Sequence, residues 1–232
     1  MPERAWRVAV LDSGIEPLSQ SASVIAARRF VDEGDQVLEL PPVKDAVGHG
    51  TAVAGIIASG RRPLELLIAQ VLNERARCTA AALAAAVAWG LGERADLLHL
   101  SLGLPHDRAV LRNAISKATS AGVLVVAAAP ARGAMSYPAS YPGVIRATGD
   151  ARCGVEQISF LGSAAADFGA GPMHRDPLGK VSRGASMGAA HLSRYIVTHV
   201  AAGLAAGQVY QALVRGAAFH GPERHHPDAV QR

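Results

Sequence analysis

The chain has 232 residues, of which 50% are hydrophobic and 18% charged, and 23 Lys plus Arg stand against 19 Asp plus Glu for a net charge of +4. That composition excludes a disordered polar chain and supplies enough apolar material for one sizeable core. Aromatics contribute only 4% and there are 24 glycines, so the core is expected to be built from closely approaching layers of small side chains. Basic residues are scattered, as at Arg28 and Arg29 or Arg61 and Arg62, with no aromatic-interleaved stripe, and no nucleic-acid partner is expected.

In chain order, an apolar β-type run at 7–11 ends at Asp12, and a helical pattern at 50–58 puts His49, Val53 and Ile56 or Ile57 on one face. A strand at 64–71, a helix at 79–89, a strand at 97–100 and a helix at 107–120 follow, with Gly90 and Gly122 placed to end the two helices. Strands at 123–128 and 144–148 and helices at 186–200 and 206–217 complete the pattern, with loops at Pro41-Pro42 and across 169–180. Alternation of short apolar strands with longer helical stretches predicts βαβ units, hence an α/β fold of three αβα layers around a mostly parallel sheet. No linker or repeat divides it. A single domain is expected over 1–218, with a frayed tail over 219–232 in which His225 and His226 are solvent-exposed. The apolar stretch 195–209 is weighed as a dimer surface, making a homodimer a candidate partner state, against plain core packing.

The alanine-rich stretch 79–90 stops well short of the roughly 20 apolar residues that cross a bilayer, so no membrane partner is expected. The opening MPERAWRVAVLDSG leads from a short apolar run straight into acid and glycine, unlike a secretory leader. Cys78 and Cys153 have neither a CxxC partner nor a histidine at finger-like spacing and read as free thiols. Together these features place the expected location in the cytoplasm.

Three segments carry more chemistry than packing requires. In VAVLDSG, Asp12 sits at a strand end, where open parallel sheets present reactive groups, although an acid there also caps turns. In GHGTAVAGIIA, His49 lies between two glycines, which let other chain segments come close. In GASMGAAHLS, Ser186 opens a helix among small residues, a position an ordinary N-cap serine also takes. A serine hydroxyl is a weak nucleophile until a base accepts its proton; imidazole suits that task, and a buried carboxylate fixes its tautomer.

These three blocks resemble the aspartate, histidine and serine motifs of subtilisin-like serine peptidases, in that family's chain order. LLHLSLG around Ser101 resembles the segment that binds extended substrate, GVLVVAAAP around Val125 the strand leading to the oxyanion site, and SYPASYPGVIRATG a further recurrent segment. The blocks span residues 7 to about 200, covering most of the chain. The resemblance implies a subtilisin-like fold and a catalytic triad of Asp12, His49 and Ser186. It also implies a peptide held as an added strand along Ser101, Leu102, Gly103 and Leu104, with an S1 pocket lined by these and by Val126, Ala127, Ala128 and Ala129. The oxyanion would meet the Ser186 N–H and the residue at position 131.

That last position departs from the family. Where Gly-Asn is usual, this chain has Pro130-Ala131, and alanine offers no side-chain donor. Losing one such donor costs about 2.7–4 kcal/mol, or roughly 10²–10³ in turnover, in enzymes of this family. Ala185, Gly188 and Ala190 also replace the usual Thr, Ala and Pro, and Gly188 is expected to loosen the helix start by up to about 1 kcal/mol. No acidic cluster resembles a calcium loop, and no metal or other cofactor is expected. The resulting expectation is a slow or specialised serine endopeptidase acting on a dedicated peptide or protein substrate, with peptide maturation as the expected role. The alternatives are a catalytically impaired peptide-binding or scaffold protein, and another acyl transfer such as ester hydrolysis or peptide ligation.

Overall fold

The computed structural model describes residues 5–16, 23–130, 135–176 and 179–222. Its elements are β1 (Trp6–Asp12), β2 (Ser23–Asp32), β3 (Val37–Leu40), α1 (His49–Ala58), β4 (Leu64–Gln70), α2 (Ala80–Gly92), β5 (Leu97–Leu100), α3 (Ala109–Ser120) and β6 (Leu124–Ala128). They continue as β7 (Val144–Gly149), β8 (Ile158–Phe160), β9 (Phe168–Ala170), β10 (Met173–Arg175), β11 (Val181–Arg183), α4 (Ala185–His199), α5 (Ala206–Gly216) and β12 (Phe219–His220). One sheet runs β12-β8-β9-β7-β6-β5-β1-β4-β2-β3, while β10 and β11 form a separate hairpin. From β2 to β9 the pairs through β4, β1, β5, β6 and β7 are all parallel, and antiparallel pairs occur only toward the edges, at β2–β3 and β8–β9.

Strand alternation sorts the core into two layers. Val8 and Val10 of β1 pack with α1 and α4, whereas Ala9 and Leu11 pack with α2 and α3. With helices on both faces, the central strands read as nearly unbroken apolar runs, which is why their positions are legible in the sequence. This is the three-layer α/β architecture expected.

Several boundaries are corrected. Helix α2, capped by the Thr79 hydroxyl accepting from Ala82 N at 3.1 Å, does not stop before Gly90 but runs through it. A Cβ there would stand 2.8 Å from Leu98 Cδ2, so Gly90 serves close approach of helix to sheet rather than termination. Gly122, with φ of +82°, does take the left-handed position after α3. The stretch 195–209 is not one helix: α4 ends at His199, α5 begins at Ala206, and Val209 is fully buried in the core layer that α4 shares. The loop expected across 169–180 contains the end of β9 and all of β10. At the other end, β12 pairs with β8, so the sheet extends past the expected boundary at 218, while His225 and His226 lie outside the described residues. Among the described residues no helix is long and apolar enough to cross a membrane.

Candidate active site

Parity along β1 decides which layer its terminal acid enters. Asp12 lies two residues beyond Val10 and therefore points toward α1 and α4. Strands β4 and β5 flank β1 on opposite sides, so the carboxyl ends of these strands open a crevice at Asp12. Helix α1 delivers the histidine there. Gly48, its N-cap, adopts φ of +76°, and a Cβ on Gly50 would lie 2.3 Å from the Gly14 carbonyl oxygen. One flanking glycine makes the turn and the other lets the helix press against the exit of β1.

His49 Nδ1 lies 2.8 Å from Asp12 Oδ1 and 3.0 Å from Oδ2. An ionised carboxylate only accepts, so Nδ1 carries the hydrogen and the neutral ring keeps its Nε2 lone pair. The hydrogen bond to Asp12 raises the His49 pKa above its ordinary value; burial opposes this, and the charges of Asp12 and Asp45 add to the rise. Asp12 is 1% exposed and also accepts from Ser13 N at 2.7 Å.

A second buried acid, Asp45, secures the start of α1. It accepts from Gly48 N at 2.8 Å, Thr51 N at 3.0 Å and Thr51 Oγ1 at 2.6 Å. Burial would raise its pKa, but these bonds and one from Ser13 outweigh it and hold the carboxyl below the ordinary value. The Ser13 hydroxyl also accepts from Gly50 N at 2.8 Å, and Gln70 Nε2 donates to Ser13 O at 2.8 Å. Asp45, Ser13, Thr51 and Gln70 are not among the candidate residues that the sequence singles out. Only Asp45 left a signal, an acid shortly before a glycine-flanked helix start.

Ser186 is not the N-cap of α4; Gly184 is, and the helix begins at Ala185. That removes the capping explanation for Ser186 and puts its N–H in the first turn, where amides lack intrahelical acceptors and the helix dipole favours negative charge. Its hydroxyl donates to Ser101 O at 3.0 Å, so in this rotamer the single proton is directed at that carbonyl. Ser101, Leu102, Gly103 and Leu104 line a cleft of about 460 Å³ together with His49. Leu104 and Tyr137 exchange backbone bonds of 2.7 and 2.9 Å, which hold this segment at the cleft wall.

The other four expected lining residues lie on or just after β6. Val126 and Ala128 pack in the α1/α4 layer, and Ala127 and Ala129 in the opposite one. Ala129 also lines a separate cavity of about 790 Å³ with Pro130, Met135 and Ser136. Ala131 lies outside the described residues. Cys78 lines the same cleft as His49, but burial pushes its thiol up to about 11, so it is protonated and a poor nucleophile at neutral pH. Among the described residues no group of three His, Cys, Asp or Glu side chains is arranged to hold a metal ion.

Residues 3–173 match the sequence model of the Subtilase family. The chain is 31% identical over 169 residues to a subtilisin of Bacillus pumilus, covering 66% of this chain and 59% of that protein. It is also 31% identical over 169 residues to subtilisin E of Bacillus subtilis, covering 66% and 43% of the two chains. With subtilisin BL of Lederbergia lenta it shares 36% over 146 residues, covering 58% and 52%. The chain thus spans about half the length of these relatives, and the family match ends before Ser186. By the extent of that match, the chain belongs to the subtilase family.

Proposed function

We propose that the protein is a serine endopeptidase that uses Ser186 as nucleophile, His49 as general base and Asp12 to orient the imidazole. The observation that carries this reading is the Asp12–His49 hydrogen bond of 2.8 Å, which leaves the His49 Nε2 lone pair available beside a cleft whose wall residue Ser101 accepts the Ser186 hydroxyl. A peptide lies along 101–104 as an added strand, so its main chain supplies most of the binding. The Ser186 hydroxyl turns from Ser101 O to His49 Nε2, which takes its proton as the oxygen attacks the scissile carbonyl. The oxyanion meets the Ser186 N–H at the positive end of α4. His49 then protonates the leaving amine, and water repeats the sequence on the acyl-enzyme.

With alanine at position 131, the oxyanion lacks a side-chain donor there, which favours a slow enzyme whose dedicated substrate contributes binding energy away from the scissile bond. Ala131 equally favours the second reading, a subtilase that binds peptides without cleaving them. Two unpaired cysteines, Cys78 and Cys153, support a reducing compartment such as the cytoplasm. Labelling with a fluorophosphonate probe separates the readings: wild type is expected to react, and Ser186→Ala and His49→Ala are not. A folded wild type that stays unlabelled would overturn the peptidase. Ala131→Asn is expected to raise turnover; an unchanged or lower rate would mean another group already serves as donor.

A further inference from the structure

His99 is fully buried in the middle of β5, between β1 and β6, where an aliphatic side chain would satisfy packing. Its neighbours Leu98 and Leu100 enter the α2/α3 layer, so His99 faces α4 with Leu97. Nδ1 lies 2.9 Å from Ser193 Oγ of α4, and Nε2 lies 2.6 Å from Ser101 Oγ. Both serines are themselves buried.

Proton counting gives this chain a direction. Assigning the Ser101 hydrogen to the Ser186 carbonyl oxygen, 3.2 Å away, makes the Ser101 oxygen the acceptor of His99 Nε2–H at 2.6 Å. A neutral imidazole has one hydrogen, which leaves Nδ1 to accept from the Ser193 hydroxyl. Burial, with a smaller contribution from the charge of His49, pushes the His99 pKa down to about 3 and keeps the ring neutral. The Ser186 hydroxyl closes the arrangement by donating to Ser101 O at 3.0 Å. Each of Ser101 and Ser186 therefore holds the other's backbone carbonyl with its own side chain, and His99 fixes the orientation of one of those side chains.

We propose that His99 is a positioning residue: through Ser193 and Ser101 it clamps the peptide-binding segment to the start of α4 and so sets the register between bound peptide and Ser186. This inference rests on the peptidase reading above. His99 touches neither substrate nor the reacting atoms, so its effect falls on the geometry of attack rather than on peptide binding, which the main chain of 101–104 supplies. A misplacement of about 1 Å at a reacting centre costs roughly 10²-fold.

Two measurements test it, and one is independent of activity. ¹⁵N NMR of the side chain is expected to find the Nε2–H tautomer from pH 8 down to 4, and Ser101→Ala is expected to shift that signal. An Nδ1–H tautomer, or protonation near the ordinary histidine value, would overturn the clamp whether or not the protein cleaves peptides. In kinetics on a quenched peptide, His99→Gln, whose amide reaches the Nε2 position, is expected to keep kcat within a few-fold of wild type. His99→Asn, which reaches only toward Ser193, is expected to lose about tenfold or more in kcat with little change in KM. Ser101→Ala and Ser193→Ala provide milder breaks in the same chain should a His99 variant fold poorly. Equal kcat in the Gln and Asn variants, or losses confined to KM, would refute the positioning role. A wild type unreactive to fluorophosphonate would instead defeat the peptidase reading and leave the NMR result to decide the clamp.

Discussion

Gly188, in the first turns of α4, packs so tightly on the end of β7 that a Cβ would stand 2.2 Å from the Thr148 carbonyl oxygen and 2.7 Å from Gly149 N. Both neighbours are backbone and cannot turn aside as a side chain would. Replacing a helical glycine by alanine ordinarily stabilises by about 1 kcal/mol, but forcing a methyl into filled space costs about 1–3 kcal/mol. Gly188→Ala is therefore expected to lower the denaturation midpoint, and, because Ser186 lies two residues away, to slow probe labelling as well. A midpoint that rises would show that α4 yields at this point.

The same glycine illustrates what a sequence alone can and cannot convey. Central strands such as β1 and β6 are nearly unbroken apolar runs and announce themselves, and the parity that sends Asp12 toward α1 follows once β1 is recognised. Gly188, by contrast, reads as a loosened helix start, because nothing local reveals that β7 lies against it. The outer strands β2 and β3 escape for a related reason: both are half-exposed, and Arg28 and Arg29 interrupt β2, so neither offers a continuous apolar run. His99 and Asp45 sit in plain view in the sequence, yet their partners Ser193 and Thr51 lie on helices whose facing residues only the tertiary packing selects.

Asp45 is expected to matter more than its distance from the reacting atoms implies. Its carboxylate satisfies Gly48 N and Thr51 N at the start of α1, and His49 is the first residue of that helix. Asp45→Ala leaves those donors unpaired and is expected to cost about 1.5–3 kcal/mol in chemical denaturation, the range for hydrogen bonds to charged groups. Because folding holds the Asp45 pKa below its unfolded value, its contribution is complete above about pH 4 and is lost as pH falls through the folded value. The variant should accordingly be less sensitive to acid than wild type over that window. Equal acid sensitivity would place the acid-labile group elsewhere.

The pH dependence of labelling reports on His49. Only the neutral ring accepts the Ser186 proton, and the hydrogen bond that His49 donates to Asp12 raises its pKa, so the acid limb of kcat/KM is expected above the ordinary histidine value of about 6.5. Asp12→Asn removes the charge that raises it and lets the wrong tautomer form. The limb should move to lower pH while the plateau rate falls by a factor on the order of 10⁴. For stability the sign is opposite to that of Asp45: the Asp12–His49⁺ pair contributes fully below about pH 6.5 and is lost as pH rises through the folded value. An acid limb unmoved by Asp12→Asn would assign the titration to another group.

His99 titrates in the reverse sense. Unfolded, it takes up a proton near pH 6.5; folded, it stays neutral until about pH 3, so acidification between those values favours the unfolded chain. His174 and His191, whose pKa values burial also lowers, contribute in the same direction. Wild type is therefore expected to lose stability steadily from pH 6.5 downward, and His99→Gln, which cannot bind that proton, should lose less over the same interval even if it starts from a lower value at pH 8. Urea midpoints for the two proteins at pH 8, 6 and 4 give the comparison. Parallel slopes would mean that His99 is solvated or already protonated in the native protein, contrary to its complete burial between Ser193 and Ser101.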